Sequence, residues 1–256
     1  MNNADASQIQ IEALEIEATQ DGSSTLIDRS TGITYRSLFG AYTESTYVFV
    51  EGTRVFSKQG PWHILEFGLG AGSNLLSTLR RYREKNCTQK LHYHAIERAP
   101  IPPALATQLH QGQTSTEDLE FFSSLLKQAH ETSEQPLVYQ HPSLNITLTL
   151  WVGDFQAATL PQATFDAVYH DPFDPQVNPD GWTDAWFKIA KQAMKDSSIL
   201  TTYSAATATR KALARAGLYS GIQPGVGGKR EMTGASPNAE CLSGYKILPA
   251  HKQPVK

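Results

Sequence analysis

Four acidic residues stand where short apolar runs stop, and their order along the chain is its most informative chemical pattern. Glu66 comes at the end of His63-Ile64-Leu65, just ahead of Gly68-Leu69-Gly70-Ala71-Gly72; Glu97 closes Leu91–Ile96; Asp154 follows Gly153 after the run 145–152; Asp171 follows Phe165–His170. Glycines after a strand let the backbone turn tightly and approach a ligand without a Cβ in the way. The spacing is G-x-G-x-G, not the dinucleotide G-x-G-x-x-G. An acid at Glu66 repels a pyrophosphate but accepts hydrogen bonds from an ammonium or a ribose. A carboxylate at Glu97 can take both ribose hydroxyls, and Asp154 can accept an adenine amino group. Singly, each reads more simply as a solvated strand-end or turn acid. As an ordered series they predict a site for S-adenosylmethionine (SAM), whose methionine end carries an amino group, in preference to NAD.

Asp171 heads the segment Asp171-Pro172-Phe173-Asp174-Pro175-Gln176-Val177-Asn178-Pro179. Prolines keep a helix from starting at once, so the segment predicts a rigid loop over the site, with Asp171 where a methyl group would be delivered. His170 reads as a strand residue packed beneath that loop. Gly225-Val226-Gly227-Gly228-Lys229-Arg230 invites a phosphate-loop reading. It fails, because Gln223 stands where the first glycine is required and Arg230 where Ser or Thr is. A flexible basic loop is the expectation.

These residues need strands to carry them. Beyond the four runs above, Ser198–Tyr203 and segments near Leu218–Gln223 and Ala239–Ile247 read as strands; Asn74–Arg83, 117–131, 181–194 and Thr207–Ala216 read as helices. Alternating strands and helices predict a mostly parallel, doubly wound α/β sheet, with ligands beyond the carboxyl ends of its strands. Ahead of it, Ile11–Ala18 alternates apolar and acidic residues, Asp21-Gly22-Ser23-Ser24 reads as a turn and Thr25–Asp28 as the returning strand. Residues 1–60 are therefore expected to form a β extension and lead-in segment, and 61–256 the main domain.

At 256 residues, 40% apolar and 18% charged, the chain can bury a full core. That composition excludes a disordered acidic chain, and a net charge of −3 excludes a uniformly basic one. Cys87 and Cys241 make no disulfide framework and fit a reduced, cytoplasmic protein. No run of about 18 apolar residues is present to span a membrane, and the first residues lack the basic head and apolar stretch of a secretory signal.

Longer motifs carry a resemblance. Tyr35-Arg36-Ser37-Leu38-Phe39-Gly40-Ala41-Tyr42-Thr43-Glu44-Ser45, Ile64-Leu65-Glu66-Phe67-Gly68-Leu69-Gly70-Ala71-Gly72-Ser73-Asn74, Asp171–Thr183 and Gly228-Lys229-Arg230-Glu231-Met232 resemble the SAM-dependent methyltransferase domain of the MnmC family, which modifies the wobble uridine of tRNA. The glycine motif is general to methyltransferases; the last two are more specific. The resemblance covers nearly the whole chain from about Thr25. It implies a class I (Rossmann-like) methyltransferase fold, a seven-stranded sheet with helices on both faces and an antiparallel seventh strand. It implies methyl transfer from SAM to the amine of 5-aminomethyl(-2-thio)uridine at position 34, in the anticodon loop. It places Glu44, Glu66, Gly68, Gly70, Gly72, Asn74, Glu97 and Asp154 around SAM, and Asp171 beside both cofactor and amine. Asn178 belongs to the same motif. Pro172 and Asp174 depart from the family pattern, in which the loop commonly reads Asp-Gly-Phe or Asp-Ala-Phe with Ala or Ser at 174. The family's frequent fused oxidoreductase is not in this sequence, so a separate enzyme is expected to supply the aminomethyl group.

Methyl transfer to nitrogen needs a free lone pair, so an alkylammonium must lose its proton. Asp171 is the expected acceptor or relay, and with a cationic sulfonium as donor no metal is expected. Phe173, Trp182 and Tyr203 are candidates to stack on an extruded base. Residues 188–256 hold 11 Lys+Arg against 3 Asp+Glu, and residues 1–187 hold 11 against 22. A local cationic surface, not a basic pI, is what an RNA requires. Lys188, Lys191, Lys195, Arg210, Lys211, Arg215, Lys229 and Arg230 are its candidates, Lys229 and Arg230 nearest the site. Two other classes compete: a same-fold transferase acting on a small amine (an aminopropyltransferase or small-molecule N-methyltransferase), and a non-catalytic SAM- or RNA-binding module.

Overall fold

The computed structural model describes residues 13–249 and 253–254. The acid–apolar alternation makes β1 (Leu14–Ala18), paired antiparallel with β2 (Ser24–Asp28) from Leu14↔Asp28 to Ala18↔Ser24. Ile11 and Glu12, where that strand was expected to begin, lie outside the described residues, as do the first ten. Asp21 fixes the turn. Its Oδ1 accepts from the Ser23 N–H at 3.0 Å and its Oδ2 from the Thr43 N–H at 2.9 Å. The second bond ties the hairpin to α1 (Ala41–Glu44), which widens into a π-helical turn over Ser45–Glu51. A short β3 (Ile33–Thr34) completes a three-stranded sheet.

From Trp62 onward strands and helices alternate as β4 (Trp62–Phe67), α2 (Ser73–Glu84), β5 (Leu91–Glu97), α3 (Pro103–His110), α4 (Thr116–Glu131), β6 (Leu137–Gln140), β7 (Ile146–Val152), β8 (Phe165–His170), α5 (Asp184–Ala193), β9 (Met194–Thr202), α6 (Thr207–Arg215), β10 (Tyr219–Pro224), β11 (Glu231–Ser236) and β12 (Lys246–Ile247). They form a nine-stranded sheet in the order β12-β10-β11-β9-β8-β4-β5-β7-β6. β7, β5, β4, β8 and β9 run parallel, and β11 lies antiparallel between β9 and β10. This is the class I arrangement of seven strands with an antiparallel seventh, lengthened at its edges by β6 and β12.

The two-residue period of the strands divides the apolar side chains between two cores. Ile64, Tyr93 and Leu148 pack with Leu75 and Leu79 of α2 and Phe122 of α4; Leu65, Ile96 and Val168 pack with Trp186 and Phe187 of α5 and Leu213 of α6. Helices thus cover both faces, and the sheet's strand ends are held rigidly between them.

Several elements differ from the sequence reading, which has no counterpart of α3 or β6 and starts β9 at Ser198 instead of Met194. The strand expected over Ala239–Ile247 is instead a 3-10 turn at Ala239–Leu242, capped where the Asn238 side chain accepts from the Glu240 N–H, followed by only the two residues of β12. The preceding strand is β11, whose register with β10 puts Gln223 opposite Met232. The helix expected over 181–194 begins at Asp184, because the Thr183 hydroxyl accepts from the Trp186 N–H. Pro179–Trp182 is a separate 3-10 turn. Among the described residues no helix is long and apolar enough to cross a membrane.

Candidate active site

Five neighbouring strands deliver the site. Their carboxyl ends meet at one cavity of about 330 Å³, lined by Gly68 and Gly70 after β4, Glu97 on β5, Asp154 after β7, Asp171 after β8 and Tyr203 after β9. Parallel pairing sets these ends level: the Gly68 N–H donates to Ile96 O at 3.0 Å, and the Asp171 N–H to Phe67 O at 3.0 Å. Tyr35, Arg36 and Ser37 beyond β3, and Glu44 of α1, close the cavity from the N-terminal segment; Lys229 reaches it from the loop between β10 and β11.

Its inner end is a dense polar cluster. Arg36 and Asp171, with side chains 6% and 7% exposed, form an ion pair. Asn74 Nδ2 donates to the same Asp171 oxygen at 2.9 Å and to Glu66 Oε1 at 2.8 Å, while the Tyr93 hydroxyl donates to Glu66 Oε2 at 2.7 Å. Burial pushes Asp171 up to about 6; Arg36 opposes the shift and Glu44 adds to it. Burial likewise pushes Glu66 up to about 8. Burial also works against an ionised Glu44, but Lys229 and Arg36 outweigh it and hold that carboxyl below its ordinary range. His170 is buried beneath the loop with Nε2 on Gly181 O at 2.7 Å; burial lowers it to about 3, so it is neutral.

At the outer end, Glu97 is fixed by backbone donors: Oε2 accepts from the Gly70 N–H at 2.7 Å and Oε1 from the Ala99 N–H at 2.8 Å. Asp154 Oδ1 accepts from the Gln156 N–H at 2.9 Å, which turns the chain away from β7. Both still face the cavity, beside Arg98 and Phe155.

Of the residues expected at the cofactor, Glu44, Gly68, Gly70, Glu97, Asp154 and Asp171 line the cavity, whereas Glu66, Gly72 and Asn74 do not. Glu66 shares a strand face with Ile64, so its carboxylate points into the core and spends both oxygens on Tyr93 and Asn74. Gly72 has φ 82° and lies so close to α4 that a Cβ would meet the Phe122 ring at 2.3 Å; it serves helix packing. Asn74 acts at one remove, through Asp171. Of the residues expected at the substrate, Phe173, Asn178, Tyr203 and Lys229 line the cavity. Trp182 does not: it is buried, its indole N–H donates to Phe173 O at 2.7 Å, and it packs edge-on against His170 and Tyr203. It supports the loop from below and offers no face to a base. Arg230 is exposed and does not line the cavity. Among the expected basic residues, Lys195, Arg210, Arg215 and Lys229 are paired with Asp166, Glu231, Asp184 and Glu44. Arg36 and Arg98 are cavity residues that the sequence reading had given no part.

The strand order and the strand-end cavity together define a class I α/β methyltransferase scaffold. Residues 117–238 match the profile of a family described as S-adenosyl-L-methionine-dependent methyltransferase. A relative in Ralstonia nicotianae is 32% identical over 216 residues, covering 79% of this chain and 31% of that protein. One in Cupriavidus metallidurans is 30% identical over 206 residues, covering 78% and 30%. Both are described as tRNA 5-methylaminomethyl-2-thiouridine biosynthesis bifunctional protein MnmC, so the chain spans about a third of the length of these relatives. The crystal structure of MNMC2 from Aquifex aeolicus superposes with a TM-score of 0.69 at 26% identity, covering 93% of this chain and 74% of that one. The chain belongs to the MnmC-type family of SAM-dependent methyltransferases.

Proposed function

We propose that the protein is an N-methyltransferase that converts 5-aminomethyl(-2-thio)uridine to its 5-methylaminomethyl form at the wobble position of tRNA, using an intermediate made by a separate enzyme. The observation that carries this reading is the carboxylate Asp171, held by Arg36 and Asn74 at the inner end of a cavity whose outer end presents Glu97 and Asp154. The relatives' description names the corresponding product, and family membership supports the methyl donor.

The residues present suit SAM. The wall carries Glu44, Glu97, Asp154, Asp171, Asp174 and Asp180 against Arg36, Arg98 and Lys229. That excess of acid fits a cationic sulfonium and an alkylammonium and disfavours a pyrophosphate. Glu97 would hold the ribose, Asp154 the adenine edge, and the Gly68–Gly70 turn with Arg36 the amino-acid end. When bound, SAM supplies a methyl group on an electrophilic sulfonium. The chain's own task is to present a neutral amine. Asp171 orients the amine and takes up or relays its proton. Arg36 and Asn74 keep that carboxylate in one position, so little ordering remains to be done at the moment of reaction. Phe173, packed edge-on to Tyr35 at 4.8 Å between ring centroids, and Tyr203 border the place where the base would enter.

The test is nucleoside analysis of tRNA bearing 5-aminomethyluridine after incubation with protein and labelled SAM, with polyamines offered in parallel. Methylated nucleoside is the expected product; label on the polyamine alone would sink the reading.

A further inference from the structure

Lys229 enters the cavity from a loop on the protein's surface. Its Nζ donates to Glu44 Oε1 at 2.5 Å and stands 4.3 Å from the centre of the Tyr203 ring. The two partners of this ammonium belong to the fixed wall. The Glu44 side chain is only 3% exposed, and its Oε2 accepts from the Ser37 N–H at 3.1 Å. The Tyr203 hydroxyl donates to Pro172 O at 2.9 Å, one residue beyond Asp171. The lysine itself is 39% exposed and hangs from the turn between β10 and β11, where Gly227 and Gly228 take φ 64° and 80° against Ser37 and Phe39.

A buried carboxylate beside an aromatic face is the chemistry that recognises a primary ammonium. An aminomethyl acceptor and a lysine end in the same group, a CH₂ bearing NH₃⁺. Replacing one by the other leaves the buried charge unchanged, so Glu44 has a cationic partner both before and after the exchange. A lysine on a short tether also has a high local concentration, and therefore keeps adventitious cations out until a better-fitting amine arrives.

We propose that Glu44 and Tyr203 form a primary-ammonium subsite, that Lys229 fills it in the free protein, and that the methyl-acceptor amine first docks there as an ammonium, displacing the lysine, before Asp171 of the same cavity takes its proton. The last clause rests on the methyl-transfer reading above; the subsite and its occupation by Lys229 do not.

The test uses the whole protein without tRNA or SAM. Protein labelled with ¹⁵N in its lysine side chains is titrated with ethylammonium chloride, and with sodium chloride at equal ionic strength. The Lys229 ammonium resonance, assigned by its loss in Lys229→Met, should move saturably toward the solvent-exposed position with ethylammonium only. By calorimetry, Lys229→Met should bind ethylammonium about tenfold more tightly than the wild type, since the tethered competitor is gone, and adding Glu44→Gln should abolish that gain. A Lys229 resonance indifferent to ethylammonium, or equal affinity in wild type and Lys229→Met, would overturn the proposal. If Lys229→Met folds poorly, Lys229→Arg, which keeps the charge, supplies the assignment and the wild-type titration stands. Failure to methylate tRNA would leave this result intact, and failure here would leave the tRNA reading intact.

Discussion

The amide nitrogen of Asn74 joins Glu66 to Asp171, donating 2.8 Å to one carboxylate and 2.9 Å to the other. Asn74 stands in the first turn of α2, Glu66 on β4 and Asp171 just past β8. One side chain therefore fixes the loop that bears the proposed base to the strand that begins the sheet. With the Tyr93 hydroxyl on the far oxygen of Glu66, the chain Tyr93–Glu66–Asn74–Asp171 runs from the core to the cavity wall.

Asn74→Ala should destabilise the fold by about 1–3 kcal/mol, because a buried acceptor on Glu66 loses its donor. It should also make Asp171 harder to ionise, since the lost bond favours the charged form. Urea unfolding reads the first effect. An upward shift of the acid limb in the pH dependence of kcat/KM reads the second, which a purely structural role for Asn74 would not produce.

Asp171 should itself set that acid limb. Its carboxyl is raised to about 6, chiefly by burial, with Arg36 opposing and Glu44 adding. A base works only when ionised, so kcat/KM should climb as pH rises through about 6 and level off above. Asp171→Asn should lower kcat by about 10²-fold or more and remove the limb, with SAM affinity kept within a few-fold. A limb surviving in Asp171→Asn would assign it to another group.

The strand ends were legible because each is a short apolar run stopped by glycine or an acid, and that pattern places Glu97, Asp154 and Asp171 whatever the rest of the chain does. Which way a strand-end residue points was harder to read. Glu66 has the parity of Ile64 and turns inward, and Gly72 faces Phe122 instead of a ligand. Arg36 carries no local pattern: its partner lies 135 positions away, so only the folded chain pairs them. β11 was missed for a related reason. Thr233-Gly234-Ala235-Ser236 has weak strand propensity, and its place is set by β9 and β10 on either side and by the Tyr245 ring, which a Cβ on Gly234 would meet at 2.4 Å.

Gly68 and Gly72 offer a test that separates loop positioning from packing. At Gly68, φ is 86° and a Cβ would meet the Asp171 carbonyl oxygen at 2.7 Å. Gly68→Ala should push the Asp171 loop out of place and reduce turnover more than stability. Gly72→Ala collides with the Phe122 ring, so it should lower the melting temperature with smaller effect on the activity of the folded fraction. Adding Phe122→Leu to Gly72→Ala should restore part of that stability, since it removes the obstructing ring while leaving the φ strain. The same second change should do nothing for Gly68→Ala. Differential scanning calorimetry and turnover on the four variants would check the pattern.

Glu66 should make the fold less stable as the medium becomes more alkaline. Its carboxyl is raised to about 8 in the folded protein, first by burial, against an ordinary value of 4.5. An acid with a raised folded pKa keeps its proton in the native state after the unfolded chain has lost it. Between pH 4.5 and about 8 the native state therefore binds more protons, and stability falls with rising pH by at most about 1.4 kcal/mol per unit from this group. Below that window both states are protonated and the group contributes no slope; above it both are ionised and the loss is complete. Glu66→Gln cannot ionise and mimics the protonated acid, keeping one oxygen to accept from Asn74 and placing an N–H donor beside the Tyr93 oxygen where the acid has its O–H. Its urea midpoint should match the wild type near pH 5 and exceed it increasingly toward pH 8, and parallel pH profiles for the two proteins would show that Glu66 is ionised across the range.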